Sequence, residues 1–215
     1  MTLTNSTNTL RSRPWQRSVT LALLAVAALL SATLLFNRLR NPQGLLGTAY
    51  PSGTAAPPLE GTGDDAQPLA LADFKGKTVA VFFGFLNCPN ICPTTLAALE
   101  RVRQTLPENQ RQELVSLLVT VDPKRDTPAE LRTYVRSFSA NARGLVIPAA
   151  QLRQAAAAWG VGFEYSNVTA PDRYDVNHTT GIYLVDREGQ RRVVWDYTQL
   201  NLTDRITSDV QTVLR

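Results

Sequence analysis

The apolar positions of this chain follow two regimes. From Ser18 to Phe36 they form one unbroken run with no charged residue. About 20 such residues span a bilayer as a helix, so the run predicts one transmembrane anchor. Past Pro58 the apolar segments are short and change period. Pro58–Leu71, with its Gly-Thr-Gly-Asp-Asp turn, predicts a hairpin. Thr78 to Leu86 is a continuous, aromatic-rich run that predicts a buried strand. Leu96, Leu99, Val102 and Leu106 recur at steps of three and four and predict a helix over 94–106. Leu114 to Val121 predicts a second buried strand, apolar enough for a sheet covered on both faces. Thr127 and Glu130 form a capping box with Pro128 at the first helical position, and Leu131, Tyr134, Val135 and Phe138 continue the helix. Pro148 opens a helix over Ala149–Trp159, which Gly160 ends. Val161–Tyr165 reads as a short strand. Gly181–Asp186 reads as a strand that turns through Arg187–Gln190 into a hairpin partner, Arg191–Trp195. Leu202, Ile206, Val210 and Val213 mark a last helix, 202–214.

Strand–helix alternation followed by a hairpin and a final helix predicts an α/β domain of thioredoxin-like type: a mixed sheet with helices on both faces. The expected organisation is a short N-terminal segment (1–17), an anchor (18–36), a Gly/Pro/Ala/Ser-rich linker (37–57) and the domain (58–215).

Charge sharpens the reading of the first 40 residues. They hold five arginines (Arg11, Arg13, Arg17, Arg38, Arg40) and no acid, whereas the rest carries 17 basic and 18 acidic residues, a net of −1. The positive charge therefore belongs to the flanks of the apolar run, and no nucleic-acid-binding face is expected. A cleaved signal peptide would have a shorter apolar core, about 7–15 residues, and a small-residue cleavage site. Phe36-Asn37-Arg38 is a poor one, so an uncleaved single-pass anchor is expected. No Lys or Arg occurs from Asn41 to Phe74. With three arginines before the run and two after it, this places the C-terminal domain outside the cytoplasm. That is the periplasmic side of an inner membrane, or the mitochondrial intermembrane space if the N-terminus is a presequence.

The chemistry concentrates in Cys88-Pro89-Asn90-Ile91-Cys92-Pro93, which holds the two cysteines of the chain where a strand gives way to a helix. Helix N-termini favour thiolates, so the pair is poised either to exchange electrons as a disulfide or to hold a soft metal. Cysteine also serves as a small buried hydrophobe, but two at this junction, each beside proline, argue for more. A purely structural disulfide here would close a very short loop and gain little chain entropy. His178, the one histidine, precedes a predicted strand. In a thioredoxin-like domain that loop lies beside the thiol pair, so His178 is the candidate third ligand. Two thiolates and an imidazole suit copper, whereas structural zinc wants four protein ligands. The segment from Asp122 to Glu130 is fully explained as a turn and helix cap and receives no chemical role.

Three segments carry a family resemblance. They are Phe83-Gly84-Phe85 through Cys88-Pro-Asn-Ile-Cys92-Pro-Thr-Thr-Leu; Val121-Asp-Pro-Lys-Arg-Asp-Thr-Pro128 with Leu131 and Tyr134; and Tyr174 to His178 with Ile182–Asp186. From about Pro58 onward the chain resembles the Sco/SenC proteins, membrane-anchored copper chaperones of cytochrome c oxidase assembly. The resemblance implies copper, as Cu(I) or Cu(II), on Cys88, Cys92 and His178. It also implies delivery to the dinuclear copper site of oxidase subunit II or another cuproprotein acceptor, by a metallochaperone rather than a turnover enzyme. The alternative is a thiol–disulfide oxidoreductase that keeps the acceptor's cysteines reduced, with Cys88 attacking and Cys92 resolving. A peroxidase of the same fold is disfavoured, because both cysteines sit in one short motif. Asn90 and Ile91 stand where the family often has Asp and Val, and Asn177 stands where an acid often precedes the histidine.

Overall fold

A computed structural model describes residues 14–40 and 44–214. Arg11, Arg13 and the expected N-terminal segment before Pro14 lie outside the described residues. Two compact units divide between Pro42 and Gln43. In the first, helix α1 (Pro14–Arg40) is 27 residues long and contains the apolar stretch Ser18–Phe36, none of it buried. That stretch rises about 28 Å, close to the hydrocarbon thickness of a bilayer.

The second unit is a mixed α/β domain. Its strands are β1 (Thr48–Ala49), β2 (Glu60–Gly63), β3 (Pro68–Ala70), β4 (Thr78–Gly84), β5 (Leu114–Thr120), β6 (Ala142–Val146), β7 (Phe163–Ala170), β8 (Arg173–His178), β9 (Ile182–Val185) and β10 (Arg191–Trp195). Its helices are α2 (Ile91–Thr105), α3 (Glu108–Arg111), α4 (Pro128–Phe138), α5 (Ala149–Ala158) and α6 (Thr203–Leu214). Eight strands form one sheet in the order β1-β10-β9-β4-β5-β6-β2-β3. β4, β5 and β6 run parallel, joined by crossovers through α2 and α4, and the other pairings are antiparallel. Every residue of β4 and β5 is buried, as their unbroken apolar runs predict for a sheet covered on both faces. Strand alternation turns Phe83 and Gly84 to opposite faces. Gly84 meets Cys92 of α2, and Phe83 meets Trp159 at the end of α5, ring centroids 6.2 Å apart. Gly160 ends α5 at φ +75°, a conformation that side chains resist.

Several elements differ from the sequence expectation. Residues 44–57, expected as part of the linker, belong to the domain. β1 pairs with β10 at the sheet edge, Leu45 is buried, and Leu46 donates its N–H to both Asp209 oxygens (3.1 and 3.0 Å). Leu202 precedes α6, and its side chain is exposed rather than on the buried stripe of Ile206, Val210 and Val213. β6 escapes the pattern because Arg143 interrupts a five-residue strand. The largest departure is β7–β8, a separate two-stranded sheet where one short strand was expected. His178 is therefore the last residue of a strand, not part of a loop. β8 is mostly polar and β7 mixes polar and apolar side chains in equal number, which blurs their alternation.

Candidate metal centre

The centre is assembled where β4 ends. Cys88 lies in the loop after β4, and its N–H bonds back to the Phe85 carbonyl (3.3 Å). Cys92 sits in the first turn of α2. The residue that caps this helix, Asn90, makes no side-chain cap bond. One first-turn donor goes to sulfur: the Cys92 N–H points at the Cys88 sulfur at 3.4 Å. Both cysteines are free thiols, Cys92 fully buried and Cys88 at 8% exposure.

His178 reaches the pair from the end of β8, and ligand atoms of Cys88, Cys92 and His178 lie within 4.8 Å of one another. The His178 Nδ1 is 2.8 Å from the Thr179 carbonyl. A carbonyl only accepts, so Nδ1 carries the proton and Nε2 is left for the sulfurs. This backbone-anchored arrangement is typical of metal-binding histidines. The ring stands edge-on to Phe85, centroids 5.8 Å apart.

The two thiols are electrostatically unequal. A hydrogen bond from the Cys92 thiol holds the Cys88 pKa down to about 3, helped by His178 and by the backbone N–H groups of Cys92 and Asn90, against the cost of burial. Cys92 is driven far upward by its bond to Cys88, by burial, and by the Cys88 charge. Cys88 is thus a thiolate at neutral pH and Cys92 the proton-bearing partner. Burial, with the negative charge of the cysteine pair and of Asp126 nearby, also raises the Tyr134 pKa, and among the described residues its hydroxyl has no hydrogen-bond partner.

Three contributors, Asp122, Arg125 and Asp126, were missed in the sequence. Asp126, 2% exposed, accepts from the Leu86 N–H (3.1 Å) and the Thr120 hydroxyl (2.5 Å), so it pins the start of the cysteine loop. Burial raises its pKa to about 6, against those two bonds. Asp122, fully buried, receives the Tyr174 hydroxyl and the Arg125 guanidinium, each at 2.5 Å. These residues belong to the segment expected to be only turn and cap. A run of acids beside prolines gave no hint that their carboxylates face inward. Asn177 points off the site: its amide lies near Glu164 (3.4 Å) and Ser166 (3.3 Å) across the hairpin.

The fold and the site define a thioredoxin-like domain with a thiolate–thiol–imidazole cluster suited to a soft metal. A likeness to the thioredoxin domain of a Bacteroides vulgatus thiol-disulfide oxidoreductase, at 17% identity and TM-score 0.53, supports the fold. The family model of SCO1/SenC matches residues 50–215, and the chain belongs to that family. A Stutzerimonas stutzeri protein named as a candidate copper-binding protein is 38% identical over 142 residues, 66% of this chain and 69% of that one. The bovine mitochondrial SCO2 homologue is 34% identical over 65% of this chain and 52% of its own length. The match therefore spans about half of the mitochondrial relative. Among solved structures, apo Sco1 of Thermus thermophilus superposes with TM-score 0.72 at 32% identity, covering 79% of this chain and 97% of that one. Copper-bound ScoI of Bradyrhizobium japonicum superposes with TM-score 0.66 at 25% identity, covering 75% and 100%.

Proposed function

We propose that this protein is a membrane-anchored copper chaperone that binds copper through Cys88, Cys92 and His178. It would hand the copper to the dinuclear copper site of cytochrome c oxidase subunit II, or to a similar cuproprotein acceptor. The observation that carries the reading is the convergence of the three ligand atoms within 4.8 Å. Among the described residues no fourth Cys or His joins them, which disfavours structural zinc. Two thiolates and one imidazole match the preference of Cu(I). Copper is cargo here. Cys88, the less deeply buried of the two, is the sulfur an incoming acceptor thiolate can approach first, and Cys92 follows. The copper-bound Bradyrhizobium structure and the Stutzerimonas relative support the choice of metal. α1 would anchor the domain in the inner membrane on the periplasmic side, or in the intermembrane space as the mitochondrial relatives suggest.

The low Cys88 pKa favours a second reading, thiol–disulfide exchange with Cys88 attacking and Cys92 resolving. His178 separates the two. In a Cu(I) titration of the reduced full chain in detergent, the chaperone reading expects one tight equivalent, lost or greatly weakened in His178→Ala. Binding indifferent to that change would overturn it in favour of the redox pair.

A further inference from the structure

The hairpin that delivers His178 is not hydrogen-bonded to the main sheet. β7 and β8 pair only with each other. What holds them is a cluster built on the loop after β5. The Tyr174 hydroxyl donates to Asp122 (2.5 Å), and Arg125 donates to the second Asp122 oxygen (2.5 Å). The same guanidinium lies over the Tyr174 ring, 3.9 Å from its centroid, and donates to the Tyr174 carbonyl (3.0 Å). From β7, the Tyr165 hydroxyl donates to the Val121 carbonyl (2.6 Å), and its ring packs on Tyr174 at 5.1 Å. A weaker tie, Arg153 to the Phe163 carbonyl at 3.4 Å, holds the hairpin from α5.

The other end of this loop grips the cysteines. Asp126, itself held by the Thr120 hydroxyl, accepts from the Leu86 N–H, two residues before Cys88. One seven-residue stretch, Thr120 to Asp126, therefore holds both ligand-bearing segments. Tyr174 and His178 share a strand face, four residues and about 13 Å apart. A small tilt of the hairpin at Tyr174 is thus a displacement of the imidazole relative to the sulfurs.

We infer that Asp122, Arg125 and Tyr174 form a clasp that positions His178 against Cys88 and Cys92, so these are positioning residues for metal capture. The inference rests on the copper reading above and goes beyond it by assigning the His178 geometry to residues that touch no ligand atom. Tyr174→Phe keeps the ring and its stacking but breaks the bond to Asp122. Arg125→Lys keeps the charge but loses the planar fork.

The test is a double-mutant cycle on the full chain in detergent. Cu(I) affinity is measured by competition with a chromophoric chelator for the wild type, Tyr174→Phe, Arg125→Lys, His178→Ala and the two doubles. Partners of metal-bound histidines cost 10–100-fold in affinity when removed. Each clasp variant is expected to weaken copper on the order of tenfold when His178 is present, and less than about twofold in the His178→Ala background. Thermal melts show that each variant folds. In the metal-free protein, Tyr174→Phe should also speed hydrogen exchange of the β7–β8 amides. Equal losses in both backgrounds, or no loss with His178 present, overturn the clasp while leaving the copper reading intact. A wild-type affinity in His178→Ala alone overturns both.

Discussion

Gly84 is the tightest joint between fold and site. A Cβ there would lie 2.5 Å from the Cys92 sulfur and 3.1 Å from Leu118 Cδ1. Ordinary contacts between such atoms are about 3.5–4.0 Å, so Gly84→Ala overlaps the sulfur by about 1 Å. Neither side yields easily. Gly84 is the last residue of fully buried β4, its carbonyl accepts from the Val121 N–H (2.8 Å), and Cys92 is in the first turn of α2. Overpacking of this kind costs about 1–3 kcal/mol. For a domain of this size, 2 kcal/mol corresponds to a fall of about 4–8 °C in Tm. The same overlap pushes Cys92 by about 1 Å away from its place beside Cys88 and His178. Copper affinity should therefore fall together with stability. The assays are a circular-dichroism melt of the metal-free protein and Cu(I) competition, both on the full chain in detergent. An unchanged Tm would refute the packing argument. A lowered Tm with wild-type copper affinity would refute the link between Gly84 and the position of the sulfur.

The depressed Cys88 pKa has a pH signature. A folded-state pKa near 3, below the ordinary thiol value of 9.0, means that the unfolded chain binds the proton between those limits, so this group adds stability as pH rises through that window. The stability difference between the dithiol protein and Cys88→Ser should grow from about pH 3 toward pH 9, and thiolate absorbance near 240 nm should persist in acid in the wild type; its absence at pH 5 would refute the assignment. At the edge of the sheet, Asp209 accepts from the Leu46 N–H and from the buried Trp195 indole (2.8 Å). Asp209→Ala should cost about 1.5–3 kcal/mol and expose residues 44–50 to limited proteolysis. Wild-type resistance to protease would show that β1 is held otherwise.

The apolar periodicity in the sequence settled much of the scaffold. β4, β5, α4 and α5 were legible because each obeys one period, and the buried runs of β4 and β5 announced a sheet covered on both faces. Cys88 and Cys92 were legible as candidates for chemistry because two thiols at a strand–helix junction have few bland explanations, and His178 followed from the place of its segment in a thioredoxin-like domain, with the Sco/SenC resemblance implying the same three residues. What the sequence by itself could not determine is relative placement. β1 and Leu45 are short and surrounded by Gly and Pro, so their docking on β10 and Asp209 depends on partners more than 140 residues away in the chain. β7–β8 mixes polar and apolar side chains, and its alternation gains meaning only when Tyr174 meets Asp122. The unequal thiols, the anchoring of Leu86 by Asp126 and the approach of Gly84 to the Cys92 sulfur were decided by tertiary structure alone. Local propensity records what one residue prefers, whereas a pKa or a ligand distance is set by groups that only the folded chain brings within a few ångströms.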